Sequence, residues 1–159
     1  MAQQFPDLYP KIVATQNTYS LVCRKDVEGG LAEACYHHQV GLMAFSPLAG
    51  GALTGKYRDE IPPETRFSNF HAFMERYLTK IQDPIESYCA VAQKHDLSPT
   101  QLALSWCFHN KLVSTTLLGA THVPQLHENL QALDIRLNDD VIRDIQQVYA
   151  KYTDPTKEY

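Results

Sequence analysis

No run of about eighteen apolar residues occurs in this sequence, which argues against a membrane-spanning helix. The first seven residues, Met1 to Asp7, lack the basic-then-apolar order of a secretory signal, so the chain reads as cytoplasmic, without membrane insertion. Positive charge is short as well. With 14 Lys and Arg against 18 Asp and Glu, the formal net charge is −4, and the isoelectric point is near 5.9. Nothing draws such a chain to phosphodiester backbones or anionic lipid, and nucleic acid drops out as a partner. Cysteine is sparse: Cys23, Cys35, Cys89 and Cys107 form no CxxC pair and sit among apolar neighbours, as reduced packing thiols do. There is no HExxH, and the adjacent His37 and His38 point to different helix faces, so no metal site is expected. A GxSxG elbow is missing too, and Ser46, followed by proline, has no evident base partner.

What is present is an ordinary globular composition. Apolar residues make up 44% and charged residues 20% of 159, the size of one domain. Residues 11–16 (KIVATQ) form a short β-prone run, read as a strand ending at Gln16. Residues 27–39 suit a helix, with Leu31, Ala34, Cys35 and His38 at three- and four-residue steps, a first turn weakened by Gly29-Gly30, and Gly41 as its stop. Residues 41–46 make a second buried strand, ended by Ser46-Pro47. Residues 48–81 read as a long irregular loop with an aromatic and basic segment from Arg66 to Tyr77.

Asp83-Pro84 has the form of a helix start, followed by the stripe Ile85, Tyr88, Cys89 and Ala92, and Ser98-Pro99 repeats the signal before Leu102, Ser105, Trp106 and His109. Residues 113–118 are a third short strand, Gly119 turns the chain, and residues 123–132 are a helix. A last helix over residues 139–152 carries Val141, Ile145, Val148 and Tyr152, and the tail to Tyr159 is expected to fray. Strands alternating with helices predict an α/β fold with a parallel sheet. Three such strands leave two unpaired edges, so the chain is a small α/β unit or a piece of something larger.

One near-motif is misleading. Gly50 to Lys56 satisfies the GxxxxGK of a phosphate loop, but Tyr57 stands where Ser or Thr must hold Mg²⁺, and Pro62-Pro63 follow instead of a helix. A positional pattern carries more. In parallel barrels, ligand contacts gather where strands end, and Gln16, Ser46 and Gly119 to Thr121 fall at such places, with Lys56 and Arg66 in the long loop as cationic partners for phosphate.

At those same positions the sequence resembles the aldo-keto reductase family, and within it the branch of potassium-channel β subunits and related bacterial and plant reductases. The resemblance runs through TQNTYSL at 15–21, FSPLAGGALTGKY at 45–57, IPPETR at 61–66, LSPTQLALSWC at 97–107 and LLGATHVPQLHENLQAL at 117–133. It implies a partial (β/α)₈ TIM barrel, roughly strands six to eight with their helices, with residues 1–159 as the C-terminal portion of one oxidoreductase domain. It further implies NADP(H) as cofactor and a small carbonyl compound as substrate.

By resemblance, Gln16 would bond the nicotinamide carboxamide and Phe45 would stack on the ring. Ser46, Pro47, Leu48, Ala49 and Gly50 would wrap ribose and pyrophosphate, with Lys56 and Arg66 reaching in. Gly119, Ala120, Thr121, Gln125, Glu128 and Asn129 would hold the adenosine 2′-phosphate and adenine, while His122 is read as a solvated residue. The family's catalytic Asp, Tyr, Lys and His motifs, and its Ser-Asn pair, do not occur here, so the chain by itself is expected to be inactive. The other roles it leaves open are an NADP(H)-sensing regulatory subunit and a truncated fragment. Its open strands are expected to drive self-association or pairing with a complementary half-barrel.

Overall fold

The computed structural model describes residues 10–156, with the backbone alone for residues 71–79. The first β-prone run does pair, but further along the chain than its residues imply: strand β1 is Ala14–Thr18. Ile12 and Val13, expected at its heart, lie ahead of it and are 68% and 69% exposed. A ladder needs a partner as well as propensity, and β2, Gly41–Phe45, offers one from Ala14 to Thr18 only. Gln16 therefore sits mid-strand opposite Met43 and does not end it. The third strand, β3, shrinks from the expected six residues to Thr115–Thr116, beside Met43 and Ala44. Both pairings are parallel, in the order β1-β2-β3, as the alternation of strands and helices predicts.

Side chains alternate across a strand, so this register sorts them into two faces. Leu42 and Ala44 are buried under the helices. On the other face Gln16, Thr18, Met43, Phe45 and Thr115 line up, and none of them is buried.

Between β1 and β2 the chain winds as a π turn, Val27–Leu31, and continues as helix α1, Ala32–His38. The double glycine is where regularity fails: Gly30 adopts φ 133°, a conformation L side chains rarely tolerate. The expected apolar stripe narrows to Leu31 and Cys35, because α1 meets the sheet along one edge; Ala34 and His38 are exposed. Its stop is Gln39, left-handed at φ 53°, whose N–H donates to the carbonyls of Cys35 and Tyr36. Gly41 instead opens β2.

The long loop expected over residues 48–81 is mostly ordered. A 3-10 turn spans Ala49–Thr54, a short helix α2 spans Arg66–Asn69, and α3 runs over His71–Lys94. Asp83-Pro84 is thus no helix start, since Pro84 lies inside α3. Proline removes one helical hydrogen bond, and burial of Ile81, Ile85, Tyr88, Cys89 and Ala92 along the following turns offsets that loss. Helix α4, Pro99–Phe108, begins as expected: the Gln101 N–H donates to Ser98 Oγ at 3.1 Å and the Ser98 N–H to Gln101 Oε1 at 2.9 Å. Thr100 and residues 102–107 are buried, which makes α4 the central helix. Helices α5, Val123–Gln131, and α6, Asp139–Lys151, complete the chain, with Val141 and Ile145 on the buried side of α6.

Arg24, only 5% exposed, ties these layers together. Its guanidinium lies 3.9 Å from the Tyr149 ring centre and 5.1 Å from that of Trp106, and Nε donates to Glu28 at 2.8 Å. The Tyr19 hydroxyl donates to the same carboxylate at 2.6 Å and accepts from Asn110 Nδ2 at 3.0 Å. Burial, then the Glu28 bond, push the Tyr19 phenol well above its usual range. The tail is not simply frayed. Residues 157–159 lie outside the described ones, but Asp154 and Thr156 are buried, and Asp154 accepts the N–H groups of Arg24 and Lys25.

Candidate functional site

Immediately after β2 the backbone makes an unusual turn. Ser46 and Ala49 take φ 55° and 50°, and Gly50 and Gly51 take 69° and 99°. Four left-handed residues fall within six, and at the two that are not glycine, Ser46 and Ala49, this is strain of the kind found at ligand sites. Ser46 follows the last residue of β2, as its sequence position implies, and Pro47 and Ala49 are buried beneath the turn.

The turn gathers the two cations that sequence assigned to phosphate. A Cβ built on Gly50 would lie 3.4 Å from the Phe67 ring and 3.8 Å from Arg66 Cδ. On Gly51 it would lie 3.2 Å from Lys56 Cε and 3.4 Å from its Nζ. Backbone angle favours glycine at both positions, while space does not: the Phe67 ring is at ordinary contact distance from Gly50, and only the flexible Lys56 side chain comes close at Gly51. Lys56 is exposed, with Nζ 4.9 Å from the Tyr57 ring centre. Tyr57 in turn packs on Phe67, ring centres 4.2 Å apart, and both are buried. This explains the tyrosine that spoils the phosphate-loop pattern: it supports the turn from below. The Thr54 hydroxyl, donating to the Gly51 carbonyl at 2.8 Å, closes the turn, and a bidentate Arg58–Glu86 pair at 2.6 Å fastens the following segment to α3. Gly51, Tyr57 and Phe67 were not among the site residues expected from sequence; the doubled glycine was the available signal for the first.

Gln16 and Phe45 share the uncovered sheet face, one register step apart, since Thr18 pairs with Phe45. Leu48 is half-buried against the core. The third group is arranged differently from expectation. Gly119 to Thr121 do not directly follow β3, because residues 117–118 intervene, and all three are exposed. The Gln125 side chain turns back, Oε1 accepting from the Thr121 N–H at 3.0 Å. His122, expected to be merely solvated, is the N-cap of α5 and accepts the Gln125 N–H at its Nδ1. Glu128 is exposed, whereas Asn129 is 1% exposed and its Nδ2 has no acceptor, a rare state for a native side chain.

Two chemical properties of the site follow. The Gly50-Gly51 turn with Lys56 and Arg66 suits a doubly charged anion such as the diphosphate of a dinucleotide, whereas the unsatisfied Asn129 donor is buried on the side of α5 that meets α4. Among the described residues, no three His, Cys, Asp or Glu come together in a way that would hold a metal ion. All four cysteines are buried and free. None of the described helices is long and apolar enough to cross a membrane.

Comparison with known proteins adds an independent line. The Aldo/keto reductase family model matches residues 4–150. Protein tas of Escherichia coli strain K12 and Protein tas of Shigella flexneri are each 39% identical over 150 residues, which is 92% of this chain and 42% of the relative. An aldo-keto reductase of Babesia bovis is 32% identical over 152 residues, covering 91% of this chain and 53% of that protein. The chain thus spans about half the length of the curated relatives it matches.

Proposed function

The chain belongs to the aldo/keto reductase family, and on that premise we propose that it is the C-terminal, cofactor-holding part of an NADP(H)-dependent oxidoreductase acting on small carbonyl compounds. Its strands β1, β2 and β3 correspond to strands six, seven and eight of a (β/α)₈ barrel, and residues 1–159 form one portion of that domain. The run FSPLAGGALTGKY supports kinship with the branch of channel β subunits and related reductases.

One observation carries this reading: Lys56 and Arg66, from the segment that follows β2, both pack against the Gly50-Gly51 turn that leaves its carboxyl end. Backbone of small residues with two cations beside it is how a protein grips a pyrophosphate. Ser46, Pro47, Leu48, Ala49 and Gly50 hold the ribose and diphosphate there. Gln16 bonds the carboxamide, and Phe45, on the same open face, offers its ring to the nicotinamide. Gly119, Ala120, Thr121, Gln125, Glu128 and Asn129 take the adenosine end.

When bound, the cofactor supplies a hydride to the carbonyl carbon. This chain's residues orient the cofactor, and a proton donor for the carbonyl oxygen comes from strands outside it. Alone, it binds NADPH weakly and does not turn over.

Amide NMR of the 159-residue chain with millimolar NADPH tests this directly. Shifts concentrated at Gly50, Gly51, Lys56 and Gly119 to Thr121, weakened in Lys56→Ala, are expected. Shifts scattered elsewhere, or none, sink the cofactor assignment, and steady reduction of an aromatic aldehyde by the pure chain sinks its inactivity.

A further inference from the structure

Lys56 is exposed, and a lysine in water is a loosely held cation, because its flexible stem lets the ammonium sample a wide volume. What the fold can fix is the backbone that carries it. A Cβ built on Gly55 would lie 3.2 Å from Cys89 Sγ and 3.8 Å from Pro99 Cγ, so the backbone just before Lys56 rests closely on α3 and on the first turn of α4. Just after Lys56, Arg58 donates Nε to one carboxylate oxygen of Glu86 and Nη2 to the other, both at 2.6 Å. Glu86 and Cys89 stand one helical turn apart, on the same face of α3.

Other support for this segment is slighter. Tyr57 packs on Phe67, but Phe67 belongs to α2, which has four residues, whereas α3 has 24 and sets Ile81, Ile85, Tyr88 and Ala92 into the core. The Lys56 N–H donates to the Thr54 hydroxyl at 3.3 Å, a long bond made inside the turn itself. The Arg58–Glu86 pair is therefore what ties the far side of Lys56 to a long, well-packed helix. Its side chains are 45% and 41% exposed, and exposed ion pairs add little to stability. A forked bond has a geometric use instead: two parallel contacts fix direction as well as distance. With Nε and Nη2 both turned to Glu86, Arg58 is also matched in charge, unlike a cation held ready for phosphate.

We propose that Arg58 and Glu86 are positioning residues for Lys56: their forked bond holds residues 55–58 on α3, so that the Lys56 ammonium stays beside Gly51. This rests on the cofactor reading above, in which that ammonium meets the diphosphate. The sign of the effect separates position from charge. Glu86 is a carboxylate near an anion site, so by charge alone its removal tightens anion binding. By position, its removal weakens it.

Titration of NADPH into the 159-residue chain, followed at the Gly50 and Gly51 amides, is the test. Glu86→Ala and Arg58→Ala should each weaken binding about fivefold. Arg58→Glu combined with Glu86→Arg rebuilds the pair with its polarity reversed, and should return the affinity to within about twofold of the parent. In the ligand-free chain, a nuclear Overhauser contact between the Lys56 ε protons and the Gly51 α protons should be present in the parent and the reversed pair and lost in both single variants. Unchanged or tighter binding in Glu86→Ala overturns the inference, as does a Lys56–Gly51 contact that survives there. A reversed pair that regains the parent's melting temperature but not its affinity overturns it too, since Arg58 would then touch the ligand itself. Should the Lys56–Gly51 contact respond as described while the parent takes up no NADPH, the cofactor reading fails and the positioning pair stands.

Discussion

The carboxylate of Asp154 accepts the backbone N–H of Arg24 at 2.7 Å, joining positions 130 residues apart, and its other oxygen accepts the N–H of Lys25 at the same distance. The end of the described chain thereby caps the helical segment that follows β1. Charged acceptors on backbone donors are among the stronger hydrogen bonds, and the carboxylate and the bond to Arg24 are buried.

Asp154→Ala should therefore destabilise the chain by about 3 kcal/mol in a denaturant melt, while Asp154→Asn, which keeps one acceptor, should cost about 1 kcal/mol. A loss within error of zero for the alanine variant would mean that the tail frays after all.

Gln39 ends α1 at φ 53°, where a Cβ is unfavourable, and its side chain is exposed. Gln39→Gly relieves that strain without removing a contact in the core and should stabilise by about 0.5–1 kcal/mol. A decrease in the melting temperature would contradict the left-handed cap.

Asp144 on α6 accepts Lys94 Nζ at 2.7 Å, and His95 Nε2 lies 2.6 Å away, joining α6 to the end of α3. Those bonds, Lys94 first, hold its carboxyl below the ordinary value of 3.8. A depressed folded-state pKa adds stability that is fully present above 3.8 and disappears as pH falls through the lowered value. The part of the stability gap between the parent and Asp144→Asn that Asp144 ionisation supplies should be lost as pH falls below 3.8, and a gap that instead widens there would reverse the sign.

Burial raises the Cys107 thiol to about 11, with Thr116 Oγ1 3.5 Å from its sulfur, and burial raises Cys89 as well. Thiolate is the reactive form, so a disulfide reagent at pH 8 should label Cys107 roughly a hundredfold more slowly in the native chain than in denaturant. Four rapid equivalents from native protein would be incompatible with this packing.

Much of the molecule is readable from local signals. The Ser98-Pro99 start with Gln101 three residues on specifies α4 through side-chain and backbone bonds that lie within one turn, and the stripes on α3, α4 and α6 face the core as their periodicity says. Strand and helix alternation likewise dictates a parallel sheet. Gly50 and Lys56 were readable as candidates, because residue type alone states what backbone freedom and charge are on offer.

Only the tertiary structure decided the rest. β1 moved to Ala14–Thr18 because a strand is defined by the ladder of its neighbour, and Pro84 stayed inside α3 because distant packing outweighed a local break. The reach of Asp154 back to Arg24 joins segments 130 residues apart, and the contact of Arg66 with the Gly50 turn and the outward side of α5 likewise depend on how separate elements pack. Residue type and short-range spacing set what each segment prefers, but which surfaces meet depends on how the whole chain closes, and that is a property of three dimensions.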